Sequence, residues 1–427
     1  MIYLLALVTV ILIGTLGLRL IVAGRFPFYL GLFLGTALGL GIASQIIFYL
    51  QLLGNNFNHF LPLLISLGIL GLLLWRMAAL KLKIEPGPFN PTLWILVLLA
   101  IPLWFEAHYY YLGGWDAWSC WNLKAKFIYL GQERWRDLFD PLLWGSNTGY
   151  PLALPTINVW FWQWSGFSQS VPMLNAIVLT LLTAGTLLLG LQELKAPLLY
   201  CILAPVAIFT LAFGNTLCIS QYSDMLFGLY LLCALVCYFL AFELNNNRLL
   251  IPTAIFIGLM SFTKNEGLAA SAILTLLILS QRPQKAGRFI TVLLLAAVPT
   301  IIFTFTIAPK SEAFINGLLS MQKPSTFSRL GYILLNTIEE FLSFKWNGLW
   351  IIAAIGLILA GKNILKQPFA IIGLFVAAYL SVVLAYYQIN TFFEIGWWMN
   401  ITLNRIIFVL MPAIFLWMGL SLFKKGA

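Results

Sequence analysis

Uncharged apolar runs of about twenty residues recur along this chain, and nothing constrains its fold more. That is the length needed to cross the hydrocarbon core of a bilayer as an α-helix. Of 427 residues, 61% are hydrophobic and only 9% charged, against about 25% charged in a soluble domain. A water-soluble core cannot hide so much apolar surface, and a disordered chain needs the opposite composition. Lipid is therefore the solvent. Within it, twenty-residue runs satisfy their backbone groups as helices. The expected spans are 2–22, 27–53, 60–80, 92–112, 172–191, 197–214, 224–242, 250–262, 267–281, 288–308, 347–361, 368–387 and 403–423. The fold class is an all-α polytopic membrane protein with about thirteen transmembrane helices. The N-terminal run has no basic stretch ahead of it and reads as a first span rather than a cleaved leader. Lys264 and Glu266 interrupt 250–281, which predicts two short helices with a polar tip.

Loop charge sets the expected orientation. With the N-terminus outside and the C-terminus inside, fourteen of the 24 Lys and Arg residues fall in inside loops, with only three of the 14 acids. That asymmetry is the one expected for cytoplasmic loops. It requires that 151–167, with two prolines, not span; the expected place for this segment is against the outer leaflet. The long loops 113–171, with juxtamembrane helices in the first of them, and 309–346 then lie outside. The predicted location is a plasma (inner) membrane with its active face outward. The basic excess serves topology, so no nucleic-acid partner is expected. The five cysteines form no CxxC, there are two histidines, and no P-loop, GxGxxG or HExxH occurs.

The few polar residues therefore stand out. In Gly113-Gly114-Trp115-Asp116-Ala117-Trp118-Ser119-Cys120-Trp121-Asn122-Leu123-Lys124-Ala125-Lys126, an acid sits at the membrane surface between tryptophans. A carboxylate there is costly without a partner or a task. Helical spacing puts Trp115, Trp118 and Trp121 on one face, as an interfacial belt or a sugar platform. Asp224, in Gln221-Tyr222-Ser223-Asp224, opens an apolar helix and reads as an N-cap or a site acid. Thr263-Lys264-Asn265-Glu266-Gly267 reads as a hairpin tip with an internal ion pair or as part of a pocket. Arg405, after Glu394, Trp397 and Trp398, reads as a snorkelling side chain or a phosphate fork.

Together, GWDAWSCWNLKAKFIY, GYPLALP, QYSD, TKNEG and LNR resemble the bacterial GT-C superfamily of multi-pass glycosyltransferases. The nearest group is the dolichyl-phosphate-mannose–protein mannosyltransferase-like and aminoarabinose transferase-like proteins. The resemblance covers about 92–423 and leaves 1–91 as N-terminal helices extra to a 92–427 core. It implies transfer of a sugar from a polyprenyl-phosphate carrier to a lipid, glycan or protein acceptor at the outer face. It implies Asp116 and Asp224 as catalytic acids and Arg405 and Lys264 as donor-phosphate ligands, with Lys124 and Lys126 in reserve. Trp115, Trp118, Tyr150, Glu266, Trp397 and Trp398 are the expected sugar and acceptor contacts. Many relatives carry a second acid in the first loop; here Ala117 follows Asp116, which leaves few oxygen ligands for a divalent ion. The expectation is inverting, metal-independent transfer with no cofactor. The competing classes are a lipid-linked-sugar transporter, which would keep its polar groups near the midplane, and a non-catalytic subunit of an envelope assembly complex.

Overall fold

A computed structural model describes residues 2–23, 26–54, 60–82, 85–309, 326–390 and 393–423. Arg25, Lys83, Lys424 and Lys425, counted above for orientation, lie outside the described residues, as does 310–325 of the second long loop. Among the described residues there is no strand. The α-helices run α1 (Ile2–Val22), α2 (Phe28–Leu52), α3 (Phe60–Ala79), α4 (Trp94–Tyr109), α5 (Asn122–Leu130), α6 (Ala153–Ser165) and α7 (Ser170–Glu193). They continue as α8 (Leu198–Thr210), α9 (Ala212–Ile219), α10 (Ser223–Glu243), α11 (Leu250–Ser261), α12 (Asn265–Gln281) and α13 (Ala286–Ile302). The last five are α14 (Thr326–Leu342), α15 (Leu349–Ala360), α16 (Ala370–Ile389), α17 (Ile395–Phe408) and α18 (Met411–Phe423).

Among the described residues, eight helices are long and apolar enough to cross a membrane, or ten if two bent pairs each form one span. The chain is thus a multi-pass membrane protein, with fewer full-length spans than the thirteen expected. The stretches expected at 197–214, 250–262 and 267–281 form α8, α11 and α12, of 13, 12 and 17 residues, short for a straight crossing. The stretch at 347–361 is α15, turned by 109° from the amphipathic α14. The last stretch begins earlier than hydropathy suggests. The Glu394 carboxylate accepts from Gly396 N (2.8 Å) and Trp397 N (2.5 Å) and so starts α17 at Ile395. Those backbone donors hold its carboxyl below the ordinary range. A 41° bend then separates α17 from α18.

Segment 151–167 differs from expectation in another way. Ala153 to Gln163 of α6 are all buried, packed against α1, α2, α5 and α7. Its tryptophans and phenylalanine fill the protein interior instead of facing headgroups, and at 13 residues it is too short to span.

Helix α10 is the axis of the bundle. Its apolar window is 94% buried, against 17% for α3, and α2, α7, α11 and α18 pack around it. On α3, Leu64, Leu67, Leu72 and Trp75 are exposed, the surface expected of a helix facing lipid tails. Helices α1 and α2 cross at glycines. A Cβ on Gly14 would stand 1.8 Å from Gly35 O, and one on Gly39 2.1 Å from Val10 O. Close backbone approach of this kind drives helix pairing where no hydrophobic effect operates. Gly14→Ala is expected to lower stability by about 1–3 kcal/mol in a detergent melt. Gly68→Ala on α3, where nothing lies within 4 Å, is the matched control and should leave the melting temperature unchanged or slightly raised.

Candidate active site

Four chain segments converge at one end of α10. The first follows α4. Gly113 adopts φ +73°, and Gly114 N donates to Ser220 O at 3.1 Å. A Cβ on Gly114 would meet the Tyr222 hydroxyl at 2.2 Å, so the glycine pair lets this turn lie directly on 220–222. A helix begins at Trp115 and passes through a π-helical turn, Ala117–Trp121, before α5. The wider turn breaks the α-helical period on which a single tryptophan face depends. Trp115 and Trp118 are exposed, packed edge-to-face on each other, while Trp121 is buried and stacked on Tyr150.

The second segment is the start of α10. Asp224 lies in its first turn, but the N-cap position is Tyr222, and the Asp224 carboxylate accepts from Lys264 and Arg405. The third is the tip between α11 and α12. There Ser223 Oγ donates to Thr263 O at 2.8 Å, tying the tip to α10. A Cβ on Gly267 would collide with Met260 O at 2.3 Å. The fourth is α17, which delivers Arg405.

These segments build one charge network. Arg405 Nη1 reaches Asp116 Oδ2 at 2.6 Å, and Nη2 reaches Asp224 Oδ2 at 2.9 Å. Lys264 Nζ contacts Asp224 Oδ1 at 3.0 Å and Glu266 Oε1 at 3.4 Å. The Arg405 guanidinium also lies 4.1 Å from the centre of the Tyr222 ring, a cation–π contact. Asp224 and Lys264 are almost fully buried, whereas Asp116 and Glu266 keep 24% and 23% side-chain exposure. The network therefore has a buried interior and two open carboxylates. Three polar atoms in it are uncommitted. Among the described residues, Asp116 Oδ1 has no protein donor, Glu266 Oε2 is buried without a donor, and Arg405 Nε is buried without an acceptor. Burial pulls the Lys264 ammonium down, but Asp224 and Glu266 outweigh it and hold its pKa above the usual lysine value. Glu266, with burial second, pushes the Tyr150 phenol well up, which keeps it a hydroxyl donor.

Asp116, Asp224, Lys264, Glu266 and Arg405 are thus brought together, with Tyr150 beside them. The remaining candidates stand apart. Lys124 is buried and donates to Asn147 O (2.6 Å) and Tyr150 O (3.1 Å); burial lowers its pKa. It pins the 147–150 turn and is not free for a phosphate. Lys126 lies 6.0 Å from the Phe167 ring centre. Trp397 is exposed, and Trp398 packs edge-on against Tyr386 and Tyr387. Among the described residues, no three His, Cys, Asp or Glu side chains are grouped as metal ligands.

Two features escape sequence reasoning. Tyr222 sits beneath Arg405 and accepts from Asp116 N at 3.4 Å; its only signal is its place in QYSD. Behind it runs a buried amide chain. Tyr3 Oη donates to Asn175, Asn175 to Asn158, Asn158 to Asn122 and Asn122 to Gln221, at 2.8–3.0 Å; Gln221 Nε2 ends it on Tyr111 O at 2.9 Å. It links α1, α7, α6 and α5 to Gln221, which holds φ +60° and sets the turn carrying Tyr222. Uncharged amides give no hydropathy signal strong enough to mark such a chain.

Compared with known protein families, curated proteins and solved structures, the chain has no match.

Removing Asp224 takes from both Arg405 and Lys264 their shared, most buried partner and leaves each with one more exposed carboxylate, so Asp224→Ala is expected to cost about 3–5 kcal/mol. Asp116→Ala should cost clearly less, because Arg405 keeps Asp224; melts of both variants check the order. Lys264 has a raised folded pKa. Its contribution is therefore complete below the ordinary lysine value and is lost only as pH rises through the raised one. The stability difference between wild type and Lys264→Met should be constant across neutral pH and shrink only in strong alkali.

Proposed function

We propose that the protein is a membrane glycosyltransferase that moves a sugar from a polyprenyl-phosphate carrier to an acceptor hydroxyl, with inversion and without a metal cofactor. The observation that carries this reading is the pairing of uncommitted carboxylate oxygens, one on the part-exposed Asp116 and one buried on Glu266, with a two-armed arginine in one network. Asp116 Oδ1 and Glu266 Oε2 are acceptors without protein donors, and sugar or acceptor hydroxyls are the donors they suit. Arg405 offers the planar fork that suits a phosphate, and Tyr150 adds a hydroxyl. In this reading the outer face is the active one, as loop charge suggests. The GT-C resemblance supports the same reading.

The proposed step is a single displacement. Asp116 takes the proton from the acceptor hydroxyl. The acceptor oxygen forms a bond to the anomeric carbon as the bond from that carbon to the phosphate oxygen breaks. The electron pair leaves on the polyprenyl phosphate, whose charge Arg405 and Lys264 receive. With three carboxylates and two cations, the resting network holds one net negative charge. A phosphate must therefore displace a carboxylate from Arg405 instead of adding to it. Asp116, the more exposed partner, is the one to yield, and its release frees the base when the donor arrives.

Transfer from a labelled polyprenyl-phosphate sugar in detergent tests this. Asp116→Asn is expected to lower turnover by about 10²–10⁴-fold while undecaprenyl phosphate still raises the melting temperature. Arg405→Lys keeps the charge but loses the fork, and should abolish that thermal shift. Full activity in Asp116→Asn would remove the base assignment. An unshifted wild-type melt would remove the carrier.

A further inference from the structure

The bundle has a second polar end. Helix α10 starts in the acidic network and finishes at Glu243, about 30 Å away at 1.5 Å per residue. Helix α11 returns from that far end to the network, α12 descends again, and α13 starts once more from the far end. The turns 244–249 and 282–285 therefore meet on the opposite surface, roughly one bilayer thickness from the site.

Between them is an open cavity of about 160 Å³. Its lining is Asn247, Arg248, Leu250, Ile251, Lys285, Arg288 and Phe289. Three cations thus share one cavity with no acidic side chain in its wall, and among the described residues none of the three is ion-paired with a carboxylate. Arg248 Nη1 makes one long contact, 3.3 Å to Ala23 O at the end of α1. The other wall is apolar and continues into the lipid-facing surface of α13, where Ile290, Leu294 and Leu295 are exposed. The segments leading into α11 and α13 also both begin here, adding the positive ends of two helix dipoles. The charges and the apolar wall call for a ligand with a phosphate beside acyl chains. Free phosphate would use the cations but leave the exposed Ile290, Leu294 and Leu295 beside them without a partner.

We propose that this cavity binds the headgroup of an anionic phospholipid, with Arg248, Lys285 and Arg288 on its phosphate and the acyl chains along α13. The site is independent of the glycosyl-transfer reading and faces the opposite leaflet.

The test uses the full chain in neutral detergent, with dioleoyl phosphatidylglycerol, dioleoyl phosphatidylcholine or inorganic phosphate added. Phosphatidylglycerol is expected to raise the melting temperature by roughly 3 °C, less so at high salt. The combined variant Arg248→Gln, Lys285→Gln, Arg288→Gln should lose that shift. Lys362→Gln with Lys366→Gln, exposed cations from the α15–α16 turn outside the cavity, should keep it. Bound phosphatidylglycerol retained through native mass spectrometry, in wild type but not in the triple variant, would be the second support. An equal shift from phosphatidylcholine or from phosphate alone, or a triple variant that keeps the shift, would overturn the proposal.

Discussion

The bridging of two carboxylates by the Arg405 guanidinium is the interaction on which the described architecture turns. Alone, each of these charges would be untenable at the edge of a bilayer. Together they make a chain of alternating sign, from Asp116 through Arg405, Asp224 and Lys264 to Glu266. That chain ties the turn after α4, the first turn of α10, the α11–α12 tip and α17 to one point. An apolar contact between helices in lipid has little directional preference, whereas a hydrogen-bonded ion pair fixes distance and angle. The network thus sets the register of helices whose apolar surfaces would tolerate several arrangements. Its ends keep enough exposure to meet a ligand, and its middle does not.

How much of this is legible in the sequence depends on charge. In a chain so poor in charged residues, each acid or base within an apolar run is conspicuous, and Asp116, Asp224, Lys264, Glu266 and Arg405 could be grouped by loop placement alone. The structure brings those five together. What hydropathy could not convey is direction. Lys124 and Lys264 look alike in sequence, each an interruption near apolar residues, yet one ends on backbone carbonyls and the other on carboxylates. Trp115, Trp118 and Trp121 have helical spacing, but a single π-helical turn sends the third inward. Segment 151–167 reads as lying against the outer leaflet, because a buried helix and a surface helix of 13 residues can share one composition. The start of α17 was hidden for a similar reason: a capping carboxylate looks like any loop acid.

The amide chain from Tyr3 to Gln221 is the uncharged counterpart of the ion network. Buried amides left unpaired in lipid would be expensive, so each link constrains the next. Through it, α1 and α7 bear on the turn that holds Tyr222 beneath Arg405. Helix α1 is therefore bonded to the site's support, whatever its sequence resemblance to other chains.

Asp116 and Arg405 are 289 positions apart, and this distance has a consequence for biogenesis. While the chain is being synthesised and inserted, Asp116 and Asp224 enter the bundle long before their shared arginine exists. Lys264 arrives earlier but is shared between Asp224 and Glu266 and does not reach Asp116. Until α17 arrives, three carboxylates of the site face Lys264 alone. The same bond that shapes the site thereby marks completion: the bundle acquires its final charge balance only when nearly the whole chain has entered the membrane.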